Sequence, residues 1–196
     1  MTGQTTAKNT TCCAQQRSEA ELEEMKTLGL RDNSGKTLPS PALLVSNLVE
    51  RTKITSYDVL NEAYHYERPS SFTRGLRVNL GTVSMLLISG TASIDDNGVS
   101  VYVGDFRAQL WRTYRNITRL LDSEGATWAD IVRTSCYLRD IERDYKDFNE
   151  VRTEFFSWLG LDPLPASTGI QARLCREELL VEIEAIAMLP NDRVRR

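Results

Sequence analysis

The chain has 196 residues, 41% of them hydrophobic, enough for one packed domain with a polar extension. A net charge of −3 and a pI near 5.4 speak against a dedicated nucleic-acid surface, and no apolar run nears the roughly 18 residues that cross a bilayer. Four cysteines without CxxC spacing and a single histidine, His65, exclude a disulfide framework, a cysteine metal site and a His-rich metal centre.

The opening MTGQTTAKNTTCC, with Cys12 and Cys13, lacks the apolar core of an export signal, so a cytoplasmic protein is expected. Residues 1–40 are polar and read as a mobile tail or an arm on a neighbouring subunit, with a short helix over 18–28. Residues 33–41, NSGKTLPSP, read as a linker within an extension that runs to residue 67. Two apolar groups there, 43–49 and 59–66, have no assigned role. A compact domain is expected over 68–190, with a tail at 191–196.

Residues 76–80 and 85–89 read as a hairpin around Gly81-Thr82, and 99–103 as a third strand after the Asp96-Asn97-Gly98 turn. A helix over 106–124 has Asp105 as N-cap and Gly125 as its stop, with Phe106, Leu110, Thr113, Ile117, Leu120 and Leu121 on one face. Trp111 and Tyr114 are packing or subunit-contact residues. Thr127 to Asp130 resembles a capping box. Residues 131–139 alternate as a strand, and a helix over 143–159 turns Phe148, Val151, Arg152, Phe155 and Phe156 inward, with Tyr145 nearby. Strands over 167–174 and 179–188 close the domain. The order βββαβαββ predicts an α+β fold, a mixed sheet with two helices packed on one face.

The last strand carries the clearest chemical signal. Leu179, Val181, Ile183, Ala185 and Ala187 alternate with Glu182 and Glu184, which marks one buried face. A carboxylate on a rigid strand beside the pair Cys175-Arg176 is a candidate piece of a site.

These elements carry a family resemblance. Its segments are Ile88-Ser89-Gly90-Thr91-Ala92, Gly104-Asp105 with Gln109, Asn116, Leu120-Leu121 to Gly125-Ala126, Asp130-Ile131-Val132 and Tyr137-Leu138-Arg139-Asp140. They continue through Phe148-Asn149-Glu150-Val151, Phe155-Phe156, Pro165-Ala166 and Val181-Glu182-Ile183-Glu184-Ala185. In order and spacing they resemble the RidA family, also called YjgF or L-PSP, over roughly residues 70–189. The resemblance implies a chorismate-mutase-like fold, a homotrimer with ligand clefts between subunits, and hydrolysis of reactive enamines and imines to keto acids and ammonia. It implies no metal, no organic cofactor and a small-molecule substrate; RNA cleavage has been attached to some members, but the acidic pI and the absence of catalytic histidines argue against a nucleic-acid partner here, and the lack of a spanning apolar run against a membrane one.

The family arginine that follows Pro-Ala and forks a substrate carboxylate is replaced here by Ser167. The family cysteine two places on is Gly169, and the tyrosine near the domain start is Phe72. Glu182 stands at the family's strand glutamate, Asn149 at its asparagine, and Ser89-Gly90 at its backbone segment near the ligand. A carboxylate substrate therefore needs another cation, and Arg74, Arg173 and Arg176 are the candidates. Cys175-Arg176 followed by Leu179 to Glu184 also looks similar to the end of the chorismatases, larger relatives in which the cysteine lines the site and the first glutamate donates a proton.

Each candidate has a plainer reading. Glu182 is a general acid or water-orienting carboxyl, or a solvent-facing strand residue. Cys175 is a pocket thiol beside Arg176, or a small turn residue. Arg74, Arg173 and Arg176 are substrate cations or surface charges. Ser167 and Thr168 bind a substrate oxygen or shape a turn. Ser89, Gly90 and Thr91 offer backbone N–H groups to an oxyanion, or end a strand. Asn149 binds ligand or braces backbone. The leading expectation is a hydrolase of the imine, enamine or enol-ether class; the alternative is a non-catalytic trimeric binding module.

Overall fold

A computed structural model of the chain describes residues 17–39, 49–57, 60–67 and 69–192. Readings that fall on Cys12 and Cys13, on residues 40–48 and on 193–196 lie outside the described residues. The chain divides into two units, residues 1–47 and 48–196. In the first, helix α1 (Glu19–Thr27) starts where Ser18 Oγ accepts the Glu21 N–H at 3.2 Å.

The second unit is built on six strands, β1 (Arg51–Lys53), β2 (Gly75–Asn79), β3 (Val83–Ala92), β4 (Ile131–Leu138), β5 (Ala166–Gln171) and β6 (Val181–Pro190). Their order across the sheet is β1-β2-β3-β6-β4-β5. Only β4 and β5 run parallel, joined by a helical crossover; every other neighbour pair is antiparallel. The alternation read in the last strand places β6 at the centre. Val181, Ile183, Ala185, Ala187 and Leu189 are buried, while Glu182 and Glu184 stand on the opposite face.

Two helices, α2 (Phe106–Ser123) and α3 (Ile141–Leu159), belong to the same core as the buried sheet residues. Asp105 caps α2 through the Ala108 N–H, and Asp140 caps α3 through the Arg143 N–H. Gly160, at φ 65°, ends α3 in the left-handed conformation that glycine adopts freely. Tyr114 of α2 stacks on Phe155 of α3 with ring centroids 4.6 Å apart, and Trp128 meets both rings edge-on. Burial drives the Tyr114 phenol far above its ordinary pKa. Tyr145, expected near the inner face, is half exposed. The capping box at Thr127 and Asp130 is present.

Two expectations change. Residues 99–103 form no strand and contribute only an isolated bridge between Ile94 and Ser100. The Asp95 carboxylate takes the N–H groups of Asn97 and Val99, and Tyr102 turns left-handed at φ 59°, so the segment curls before it can pair. The outer strand comes instead from Arg51–Lys53, three polar residues with no alternation to reveal them. The strand expected to stop at residues 89–91 runs on to Ala92 through an irregularity between Ile88 and Thr91.

Candidate functional site

The break in β3 shapes the site. On β6, Glu182 pairs in register with Ala92, and its side chain rises beside the irregular stretch at Ser89 and Gly90. A cavity of about 440 Å³ opens there, lined by Glu182, Gly90, Arg74, Arg176, Tyr66 and Cys175 among others. Gly90 lets the carboxyl lie against the backbone, since a Cβ at that position would stand 2.0 Å from Glu182 Oε1. Burial raises the Glu182 pKa and the neighbouring Glu184 charge adds to this, while Arg74 and Arg176 pull the other way.

The loop before β6 is fixed by Gln109, which is fully buried on α2. Its Nε2 donates to Tyr102 O at 3.1 Å and Glu178 O at 2.8 Å, and its Oε1 accepts the Leu180 N–H at 2.8 Å. Arg139 donates to Leu179 O and Arg176 O. Arg176 donates to Gly98 O and lies 3.4 Å from Ser100 Oγ, so the curled segment after β3 holds this cation at the cavity.

Arg74 has only 4% of its surface exposed, yet it lines the cavity. Its guanidinium lies 5.1 Å from the Tyr66 ring centroid and 5.4 Å from that of Phe72. Nε donates to Asn61 O at 3.0 Å and Nη2 to the Tyr66 hydroxyl, which in turn donates to Asn61 O at 2.9 Å. Burial raises the Tyr66 pKa against the pull of Arg74. The carboxylate of buried Glu62 accepts the Arg74 backbone N–H at 3.3 Å.

Six of the sequence candidates thus meet at one cavity: Arg74, Ser89, Gly90, Cys175, Arg176 and Glu182. Both donors of Ser89 are committed, because its N–H goes to Arg74 O at 3.0 Å and its hydroxyl to Thr73 O at 2.8 Å. Its amide is therefore not available to an oxyanion. Thr91 is buried and its hydroxyl donates to Ser89 O at 2.9 Å, bracing the irregular stretch. Arg173 is exposed and outside the lining. Thr168 on β5 accepts from Arg133 at 3.1 Å, and Asn149 on α3 donates to Tyr145 O at 2.8 Å. Ser167 lines a different cavity, with Arg152. Glu184 accepts the Tyr137 hydroxyl at 2.9 Å. Among the described residues, no group of three or more His, Cys, Asp or Glu side chains is placed to hold a metal ion. No described helix is long and apolar enough to cross a membrane.

Sequence reasoning missed Asn61, Glu62 and Tyr66. The only signal was the apolar group at 59–66, whose aromatics gave no period.

This architecture is that of a known α+β group. The YjgF gene product of E. coli superimposes with a TM-score of 0.56 at 23% identity, covering 69% of this chain and 97% of that one. E. coli TdcF, solved with bound serine, gives 0.58 at 22%, covering 70% and 98%. Residues 69–189, more than half of the chain, match the model of the endoribonuclease L-PSP family. The chain belongs to that family, the RidA/YjgF group that the sequence resembled. A RutC family protein of Pyrococcus abyssi is 30% identical over 104 residues, which cover 53% of this chain and 78% of the relative. The 3-aminoacrylate deaminase RutC of Acinetobacter baylyi is 30% identical over 104 residues, covering 53% and 79%.

Proposed function

We propose that this chain is a deaminase-type hydrolase acting on a small, reactive, anionic imine or enamine. The observation that carries this is the convergence of Glu182, with its raised pKa, and two arginines on one cavity. Similarity to a 3-aminoacrylate deaminase supports the same class.

In this reading the substrate carboxylate sits on Arg74 and Arg176. Two rings and two hydrogen bonds fix Arg74, and its Nη1 is not used by those bonds. Glu182 takes a proton from water as the oxygen attacks the C=N carbon. It returns the proton to nitrogen, which gives a carbinolamine; it then takes the hydroxyl proton and passes it to the amine as the C–N bond breaks, so a carbonyl product and ammonia leave. Cys175 contributes to the rim. The lone histidine, His65, bonds to Asn61 Oδ1 at 3.2 Å and is not among the residues lining this cavity.

We place this activity in a cytoplasmic homotrimer. The uncovered sheet face, with Val132, Ile170 and Met188 exposed, is the surface that subunits would share. The placement of Cys175, Arg176 and Glu182 around one cavity also suits an enol-ether substrate of the chorismatase kind. Ser167 favours a second reading, a binding module without turnover, because it removes the family's guanidinium.

The test is ammonia release from freshly generated 2-aminoacrylate and from 3-aminoacrylate, measured against the uncatalysed rate. Acceleration that disappears in Glu182→Gln is expected. A folded protein with no acceleration on either compound leaves the binding reading.

A further inference from the structure

Glu182 has a charged neighbour on its own face of β6. Glu184 follows two residues on, about 7 Å along the strand, and lines the same cavity. On β4, Tyr137 lies opposite Glu182 and Ser135 opposite Glu184. On the other side Glu182 faces Ala92, so neither adjoining strand places a cation across from it. The Tyr137 hydroxyl crosses diagonally and donates to Glu184 Oε1 at 2.9 Å. We infer, on the reading that Glu182 moves the proton, that Tyr137 and Glu184 form a positioning pair for it, in which the phenol holds the Glu184 carboxylate as a fixed negative charge beside Glu182.

The hydrogen bond decides where that charge sits. A glutamate on a free side chain swings into solvent, where water and salt screen its effect on a neighbour. Tied to Tyr137, Glu184 stays over the sheet. The bond to Glu184 is also the chief cause of a raised Tyr137 pKa, so the phenol keeps its hydrogen and remains the donor. Arg133 lines the neighbouring cavity with Glu184, but its guanidinium donates to Thr168 Oγ1 at 3.1 Å. Among the described residues Glu184 belongs to no ion pair.

The groups around Glu182 thus divide by sign. Its burial and the Glu184 charge oppose ionisation, while Arg74 on β2 and Arg176 on the loop before β6 favour it. Cys175 and Tyr66 are the other titratable side chains of the lining. A substrate carboxylate on the two arginines cancels their pull. The fixed Glu184 charge then remains, and it strengthens Glu182 as a base at the step in which water attacks.

The test is the titration of Glu182 in the full chain, followed through the side-chain carboxyl resonance of isotope-labelled glutamate and assigned by its absence from Glu182→Gln. Its midpoint should fall in Glu184→Gln, which removes the charge. It should fall by less in Tyr137→Phe, which removes only the tether. A packing role for Tyr137 has the opposite sign, because loss of a hydroxyl opposite Glu182 makes its surroundings more apolar and raises the midpoint. An unchanged or raised midpoint in either variant overturns the proposal. With turnover of 3-aminoacrylate, the rising limb of the pH–rate profile should move to lower pH in both variants. Lowered midpoints without turnover of either aminoacrylate support the pair and remove only the hydrolase reading. Tyr137→Phe decides alone if Glu184→Gln fails to fold.

Discussion

Glu182 and Gly90 occupy one space. The carboxyl of the first lies where a side chain on the second would begin, 2.0 Å from an ideal Cβ. Any larger residue at 90 must push the carboxyl out of the cavity. Because Gly90 does not have a positive φ, alanine is tolerated by the backbone, and the atom it meets is the end of a flexible side chain. Gly90→Ala should therefore change the thermal midpoint little while lowering kcat by about tenfold or more, since displacement of a proton-transferring group by an ångström removes most of its effect. Thermal denaturation beside steady-state kinetics separates the two.

The Glu182 carboxyl also links stability to pH. Burial raises its folded pKa above the unfolded value of about 4.3, so folding favours the protonated form. The stability this confers is complete below the unfolded pKa and is lost as pH rises through the folded one. Glu182→Gln is neutral throughout. Its stability relative to the parent should grow as pH rises from about 4 to about 8 in urea denaturation. A constant difference across that range would show that the carboxyl is not desolvated. For catalysis by the carboxylate, the parent rate should rise through the same raised pKa, and the variant should lack that limb.

The scaffold has its own charged anchor. Arg77 on β2 lies 3.2 Å from Glu124 Oε2 at the end of α2, and its Nε donates to Ser84 Oγ at 3.0 Å. Both side chains are almost fully buried. Removal of one partner leaves a charge in the interior, which costs about 3–5 kcal/mol. Glu124→Ala should lower stability by that order in chemical denaturation. The residual folded protein should keep its KM, because neither residue lines the Glu182 cavity.

Periodicity explains which parts were legible. The alternation at 181–189 and the apolar face of α2 come from burial on one side, so they showed β6 and its helix directly. Asp105 was visible as a cap because capping is local chemistry, whereas Asp140 was not read as one and α3 starts at Ile141, two residues before the expected start. The segment 99–103 misled because Val99, Tyr102 and Val103, three of its four apolar residues, are exposed, and an Asx turn decides its path. Arg51–Lys53 stayed hidden because its pairing with β2 is backbone chemistry, and its side chains carry no pattern. Glu182, Arg74 and Arg176 were singled out by the family resemblance and by position, and the fold brings the three to one cavity. Tyr66 and Asn61 were not, since their part in holding Arg74 depends on the fold returning residues 61–66 to β2.

That returning segment leads to a last prediction. Tyr66 contributes a ring face to Arg74 and a hydroxyl bonded both to its Nη2 and to Asn61 O. Tyr66→Phe keeps the ring and removes the hydroxyl, so Arg74 remains stacked but loses one tether. One hydrogen bond to a charged group is worth about 1.5–3 kcal/mol. If Arg74 binds the substrate carboxylate, KM should rise by up to about tenfold with kcat nearly unchanged, the signature of lost uniform binding. Arg74→Lys keeps the charge but gives up the planar fork and its contacts with the Tyr66 and Phe72 rings. It should raise KM further, by about tenfold to a hundredfold, and a neutral ester of the same substrate should not feel either change. Equal losses on the ester and the acid would assign Arg74 to packing alone.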